Sequence, residues 1–99
     1  MNMISVKIHT HKNDIILAAC DEDILGQTFT GDGMKITVSE LFYGGESVTE
    51  DVFVERTKSV SIMNLVGNRV VERAIAEGIV DSDNVIEIGG VKHAQVVIM

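Results

Sequence analysis

The last twelve residues, "IGGVKHAQVVIM" (88–99), set an imidazole and a carboxamide, His93 and Gln95, just behind the glycine pair Gly89–Gly90. An imidazole can serve as acid, base or metal ligand, and a carboxamide donates and accepts hydrogen bonds at once. Positions i and i+2 of a strand share a face, so the two groups would work side by side. A two-residue Gly-Gly loop suits a hairpin, because both glycines accept positive φ. That register opposes Ile88 to Val91 and Ile86 to His93, and sets Glu87 against Lys92 as a cross-strand ion pair. His93 and Gln95 then interrupt a largely apolar face, where polar groups need partners. Two readings stay open. Either the pair bonds to backbone at a sheet edge, or it lines a small pocket with Asn64 and reads a ligand. On the second reading the candidate ligand-binding residues are Asn64, Gly67, Gly89, Gly90, His93 and Gln95.

Other chemistry meets firmer limits. In "ISVKIHTH" the alternation puts His9 and His11 on one strand face, about 7 Å apart. Zinc would need two further ligands, and only Cys20 and His93 are candidates, so no metal site is expected. Cys20 could pair with His93 as a nucleophile. Its place at a strand end before a helical turn would favour the thiolate, whereas a lone cysteine in an apolar strand is usually core packing. The acids of "DEDI" lack the spacing of a calcium loop. Neither GxxxxGK[ST] nor GxGxxG is present, so no cofactor is expected. One tyrosine, three phenylalanines and no tryptophan offer few platforms for stacking single-stranded RNA.

These residues need elements to position them. "MISVKIHTH" reads as a half-buried strand, "KND" as a turn, and "IILAAC", apolar on both faces, as an interior strand. Asp21 is expected to cap a short turn, "DEDILG". "TGDG" is a turn, "MKITVSE" a second alternating strand, and "LFYGGE" a strand running into a glycine break. "SVTE" has capping-box form, with Ser47 and Glu50 opening a helix from about 49 to 64. "NLVG" suits a helix–helix junction, and "GNRVVERAIAEGIV" a helix over 68–77 with Gly78 as its left-handed terminator. "VIEI" and "VKHAQVVI" close the chain as strands. The last carries apolar Val96 and Val97 on opposite faces, which predicts an interior position. The expected fold class is α+β: a small mixed or antiparallel sheet with two consecutive helices packed on one face.

The 99 residues fit a single domain, 1–99, with a core that needs no staple. One cysteine precludes an internal disulfide, and no apolar run reaches the length of a membrane span, so a cytoplasmic protein with no membrane partner is expected. The net charge of −7 argues against sequence-blind nucleic-acid binding. Yet residues 1–55 hold 3 basic and 10 acidic side chains, and residues 56–99 hold 5 of each. Arg56, Lys58, Arg69 and Arg73 lie close in sequence. They are either solvated helix faces or a local cationic patch able to meet RNA.

The runs "LAACDEDILG", "FYGGE", "NLVG", "AIAEGIV" and "IGGVKHAQVV", in this order over nearly the whole chain, resemble the archaeal family catalogued as domain of unknown function 424. Lys92 departs from that pattern, which favours proline there. Asp21, Gly26, Asn64, Gly67, Gly89, Gly90, His93 and Gln95 match the family's motifs. The resemblance implies an archaeal cytosolic protein in the company of translation or RNA-processing genes, and no reaction. The expected function is therefore a non-catalytic binding or adaptor module with a protein partner or a ribonucleoprotein complex. The alternative is a small enzyme or ligand-binding protein with a polar pocket around His93.

Overall fold

The structure, a computed structural model, describes residues 3–98. The chain opens with an antiparallel pair, β1 (Ile4–His11) and β2 (Asp14–Asp21), joined by Lys12–Asn13. Lys12 takes φ 55°, a conformation that a tight two-residue loop demands. A 3₁₀ turn, Glu22–Ile24, leads to a small hairpin, β3 (Thr28–Gly31) and β4 (Met34–Thr37). Then come a one-turn helix α1 (Glu40–Tyr43), strand β5 (Glu46–Val48) and helix α2 (Glu50–Arg56), which a 3₁₀ turn, Thr57–Ser59, extends. Strand β6 (Ile62–Val66), helix α3 (Asn68–Ala76), a 3₁₀ turn at Ser82–Asn84, β7 (Ile86–Ile88) and β8 (Val91–Val97) complete the order.

Six strands form one mixed sheet in the order β5-β1-β2-β6-β8-β7; β2 and β6 run parallel and the other pairs antiparallel. Helices α2 and α3 meet one face. Their Phe53, Val70, Val71 and Ala74 close over Ile4, Val6, Leu17, Ala19, Met63, Leu65 and Ala94 of the sheet. The other face carries a second, smaller apolar cluster. There Val38, Tyr43, Phe29 and Leu25 lie over Ala18, Cys20, Val66 and Val91. Alternation along β2 explains both layers: Leu17 and Ala19 serve one face, Ala18 and Cys20 the other.

The expectation of a mixed sheet in an α+β chain holds, but the two helices are not consecutive. The helix expected over 49–64 stops at Arg56, and "IMNLV" is strand β6, not a helix junction. Met63 and Leu65 are buried on one face of the sheet and Val66 on the other, and that outweighs the helical spacing read across the segment. The cap of α2 is Thr49, whose hydroxyl accepts from Val52 N–H at 3.2 Å; Ser47 lies in β5. "ELFY" forms helix α1 where a strand was expected, with Ser39 as its cap. Helix α3 matches its expected span, and Gly78 follows it at φ 74°.

Candidate functional site

Asp21 organises the top of the sheet. Its carboxylate accepts from the N–H groups of Arg69 at 3.0 Å and Val70 at 2.9 Å, so it caps α3, not the 3₁₀ turn that follows it in sequence. Two orphan N–H groups at a positive helix end are the natural partners of a buried carboxylate. Burial still pushes the Asp21 carboxyl above its ordinary value, against those two bonds and the nearby Arg69. Gly67, at φ 129°, makes the arrangement possible, because a Cβ there would stand 2.5 Å from Asp21 Cγ. Asn68 then locks the C-terminal hairpin to α3. Its Nδ2 donates to Gly90 O (3.2 Å), and its Oδ1 accepts from Lys92 N–H (2.9 Å).

The hairpin has the register read from its glycines. Ile88 opposes Val91, Glu87 opposes Lys92, and Ile86 opposes His93, with Gly89 and Gly90 at φ 58° and 84°. The expected Glu87–Lys92 ion pair does not form, for Lys92 turns to Glu72 at 3.7 Å. Gly89 also lies against the β3–β4 hairpin: a Cβ there would stand 2.6 Å from Thr30 O.

Strand pairing brings the predicted polar residues together. Asn64 opposes Gln95, and Val66 opposes His93, on the face away from α2 and α3. Tyr43 donates its hydroxyl to Asn64 Oδ1 from above. His93 Nδ1 lies 3.0 Å from Leu65 O. A carbonyl only accepts, so Nδ1 carries the proton, and in the neutral ring Nε2 is left as an acceptor. Among the described residues, Nε2 of His93, Nδ2 of Asn64 and the whole carboxamide of Gln95 have no hydrogen-bond partner. Two of these side chains are half-buried and Gln95 is exposed. They lie in the gap between α1, which packs on β1 and β2, and the β3–β4 hairpin, which packs on β7. Among the described residues no enclosed cavity forms there. The array is part of an open surface, bordered by Ile86 at 46% and Val97 at 61% exposure. Gly67, Gly89 and Gly90 shape the backbone at the far end of the same strands and present no side chain to the array.

Tyr43 was not singled out by sequence. Its signal is a lone aromatic hydroxyl in "LFYGG", and only the fold shows what it reaches. Burial, with Cys20 beside it, raises its phenol to about 12. Cys20 is itself fully buried, and its thiol is pushed up to about 12 by burial and then by Asp21, Glu22 and Asp23. A thiolate is thus disfavoured at that strand end, and the acids that follow reverse the effect expected of a helical turn. His9 stacks on Phe42 at 4.7 Å and 11°, with Nε2 donating to Phe42 O at 2.8 Å, while His11 is exposed opposite Asp14.

The four clustered basic residues are all paired with carboxylates. Arg56 forms a two-pronged pair with Glu46, Lys58 meets Glu55, and Arg69 meets Asp23. Arg73 reaches Glu50, Asp51 and Glu77, which ties α3 to the start of α2.

Comparison with known proteins agrees with this architecture. A crystal structure of an uncharacterized conserved protein from Methanopyrus kandleri, an archaeon, superposes with a TM-score of 0.77 at 28% identity, covering 98% of this chain and 92% of that one. No curated protein matches the chain at a significant level. The model of a family described as protein of unknown function (DUF424) matches residues 8–99, nearly the whole chain, from the β1 histidines through the "GGVKHAQ" hairpin. The fold and the array just described are therefore those of a member of the DUF424 family, to which this chain belongs.

Proposed function

We propose that the protein is a non-catalytic binding module that contacts a protein partner through the face carrying Asn64, His93 and Gln95. One observation supports this most: a row of unused donors and acceptors sits on a half-open sheet face between exposed apolar side chains. Polar groups spent on the fold are normally bonded within it. Here the internal bonds, Tyr43 to Asn64 and His93 to Leu65, orient the side chains and leave their other atoms free. Apolar residues beside free polar groups make the composition of a contact surface.

The test is the double variant His93→Ala/Gln95→Ala. Leu65 pairs directly with Ala94 in the ladder, so its carbonyl keeps a backbone donor when the imidazole goes. The variant should unfold within about 1 kcal/mol of the parent and should lose a partner that the parent captures from an archaeal lysate. Equal capture by both would overturn the reading.

A second reading has one observation of its own. The bare Nε2 of His93 faces the same gap as Asn64, which suits a small ligand read by the three side chains. Retention of a metabolite by the parent and not by the double variant, seen by mass spectrometry of the natively purified protein, would favour it.

A further inference from the structure

We propose that the outer edge of β8, at Gln95 and Val97, takes a basic extended segment of a partner protein as an added strand. The inference rests on the binding-module reading and names the chemistry of the partner. Strand β7 spans only Ile86–Ile88, and its ladder ends at the Ile86–His93 pair, whereas β8 runs on to Val97. Gly67 N–H donates to Lys92 O and Ile98 N–H to Ser61 O, so the even-numbered residues of β8 point their backbone groups toward β6. Alternation turns those of Gln95 and Val97 the other way, past the end of β7. An edge of this kind is ordinarily guarded by lysine, proline or a bulge. This one is lined by Gln95, Val97 and Ile98, uncharged and exposed.

Charge selects the occupant. Asp83 is exposed three residues before Ile86, at the point where the edge opens, with Asp81 and Glu87 near it in the chain. Among the described residues none of these three carboxylates pairs with a cation. A strand laid along the edge meets acid where it passes the end of β7. A second copy of this chain would bring the same acids to the same place, on a body of net charge −7, and would be repelled. A segment with alternating apolar and basic residues satisfies the edge, its apolar side chains meeting Ile86 and Val97.

The probe is a synthetic octapeptide of alternating lysine and valine, titrated into the isotope-labelled full chain while amide resonances are followed. An octapeptide of alternating glutamate and valine, a uridine dodecamer and sedimentation of the chain alone are the other arms. The lysine peptide should shift the amides of Gln95 and Val97 first, more weakly as salt rises, and the glutamate peptide should not. Val97→Pro deletes an outward N–H without touching the β6 ladder and should weaken the peptide by roughly tenfold. Val97→Lys, which cannot break the backbone, should weaken it as well. The proposal is overturned if the lysine peptide leaves both amides unmoved, if the glutamate peptide does as well, if the dodecamer moves them instead, or if the chain sediments as a dimer through this edge. Peptide shifts confined to the Asn64 and Gln95 side-chain amides would end the strand addition and leave the binding face standing. Undiminished edge shifts in the His93→Ala/Gln95→Ala variant would uphold the edge and count against the face.

Discussion

Asp21 and Cys20 are neighbours in the chain with opposite duties. Asp21 holds the first turn of α3, so Asp21→Ala should cost about 1–2 kcal/mol in urea unfolding by stranding two N–H groups. Its carboxyl lies above the ordinary value because burial outweighs its hydrogen bonds. The folded state therefore keeps this proton to higher pH than the unfolded chain does. The stability this residue gives is full below the unfolded value and is lost as pH rises through the folded one. Asp21→Asn removes the titration. The parent should thus hold its greatest advantage over that variant in acid and lose ground toward neutral pH; the reverse trend in paired unfolding curves would contradict the burial argument. Cys20, with its thiol near 12, should resist a thiol reagent at pH 8 in the folded protein and react fully in denaturant. Fast reaction of the native chain would reopen nucleophilic chemistry. His93 and Gln95 were legible as a pair because a strand has a period of two and Gly-Gly sets the register. Tyr43 was not, since its hydroxyl reaches Asn64 across 21 positions.

At the scale of elements, the C-terminal hairpin gives a sharp contrast between adjacent glycines. Gly90→Ala meets open space and only a left-handed backbone, at about 1–2 kcal/mol. Gly89→Ala adds a contact of 2.6 Å with Thr30 O and should cost clearly more in thermal unfolding. Equal costs would mean that the β3–β4 hairpin does not bear on that turn. Removing residues 94–99 deletes Ala94, 2% exposed in the core, and most of the pairing of β8 with β6, although Val97 is exposed at an open edge and not interior as its sequence suggested, so cooperative unfolding should disappear. Strands β1, β2, β7 and β8 and helix α3 were readable because periodicity and turn chemistry agree there. Residues 49–66 were not. The chain changes from helix to strand inside "RTKSVSIMN", with no proline and no glycine to mark it, and what decides is the parallel pairing of β6 with β2, 46 residues away. Asp21 was misassigned for the same reason: its partners are 48 and 49 positions distant.

Over the whole molecule the charge is acidic, and the four clustered cations are held by carboxylates, as far apart in the chain as Arg69 and Asp23. A uridine dodecamer should therefore show no saturable binding at physiological salt; tight binding that weakens steeply with salt would restore the RNA reading. No helix among the described residues is long and apolar enough to cross a membrane. The distinctive asymmetry is between the two sheet faces. One is closed by α2 and α3, and the other is only partly covered, with Asn64, His93 and Gln95 in the gap. A photoreactive benzoylphenylalanine tests that asymmetry most directly, placed at Gln95 in one variant and at exposed Glu77 beyond α3 in another, each expressed in an archaeal host and irradiated in the cell. A discrete protein adduct from position 95 and none from position 77 is the predicted result. Adducts from position 77 alone would contradict the assignment of the open face as the contact surface.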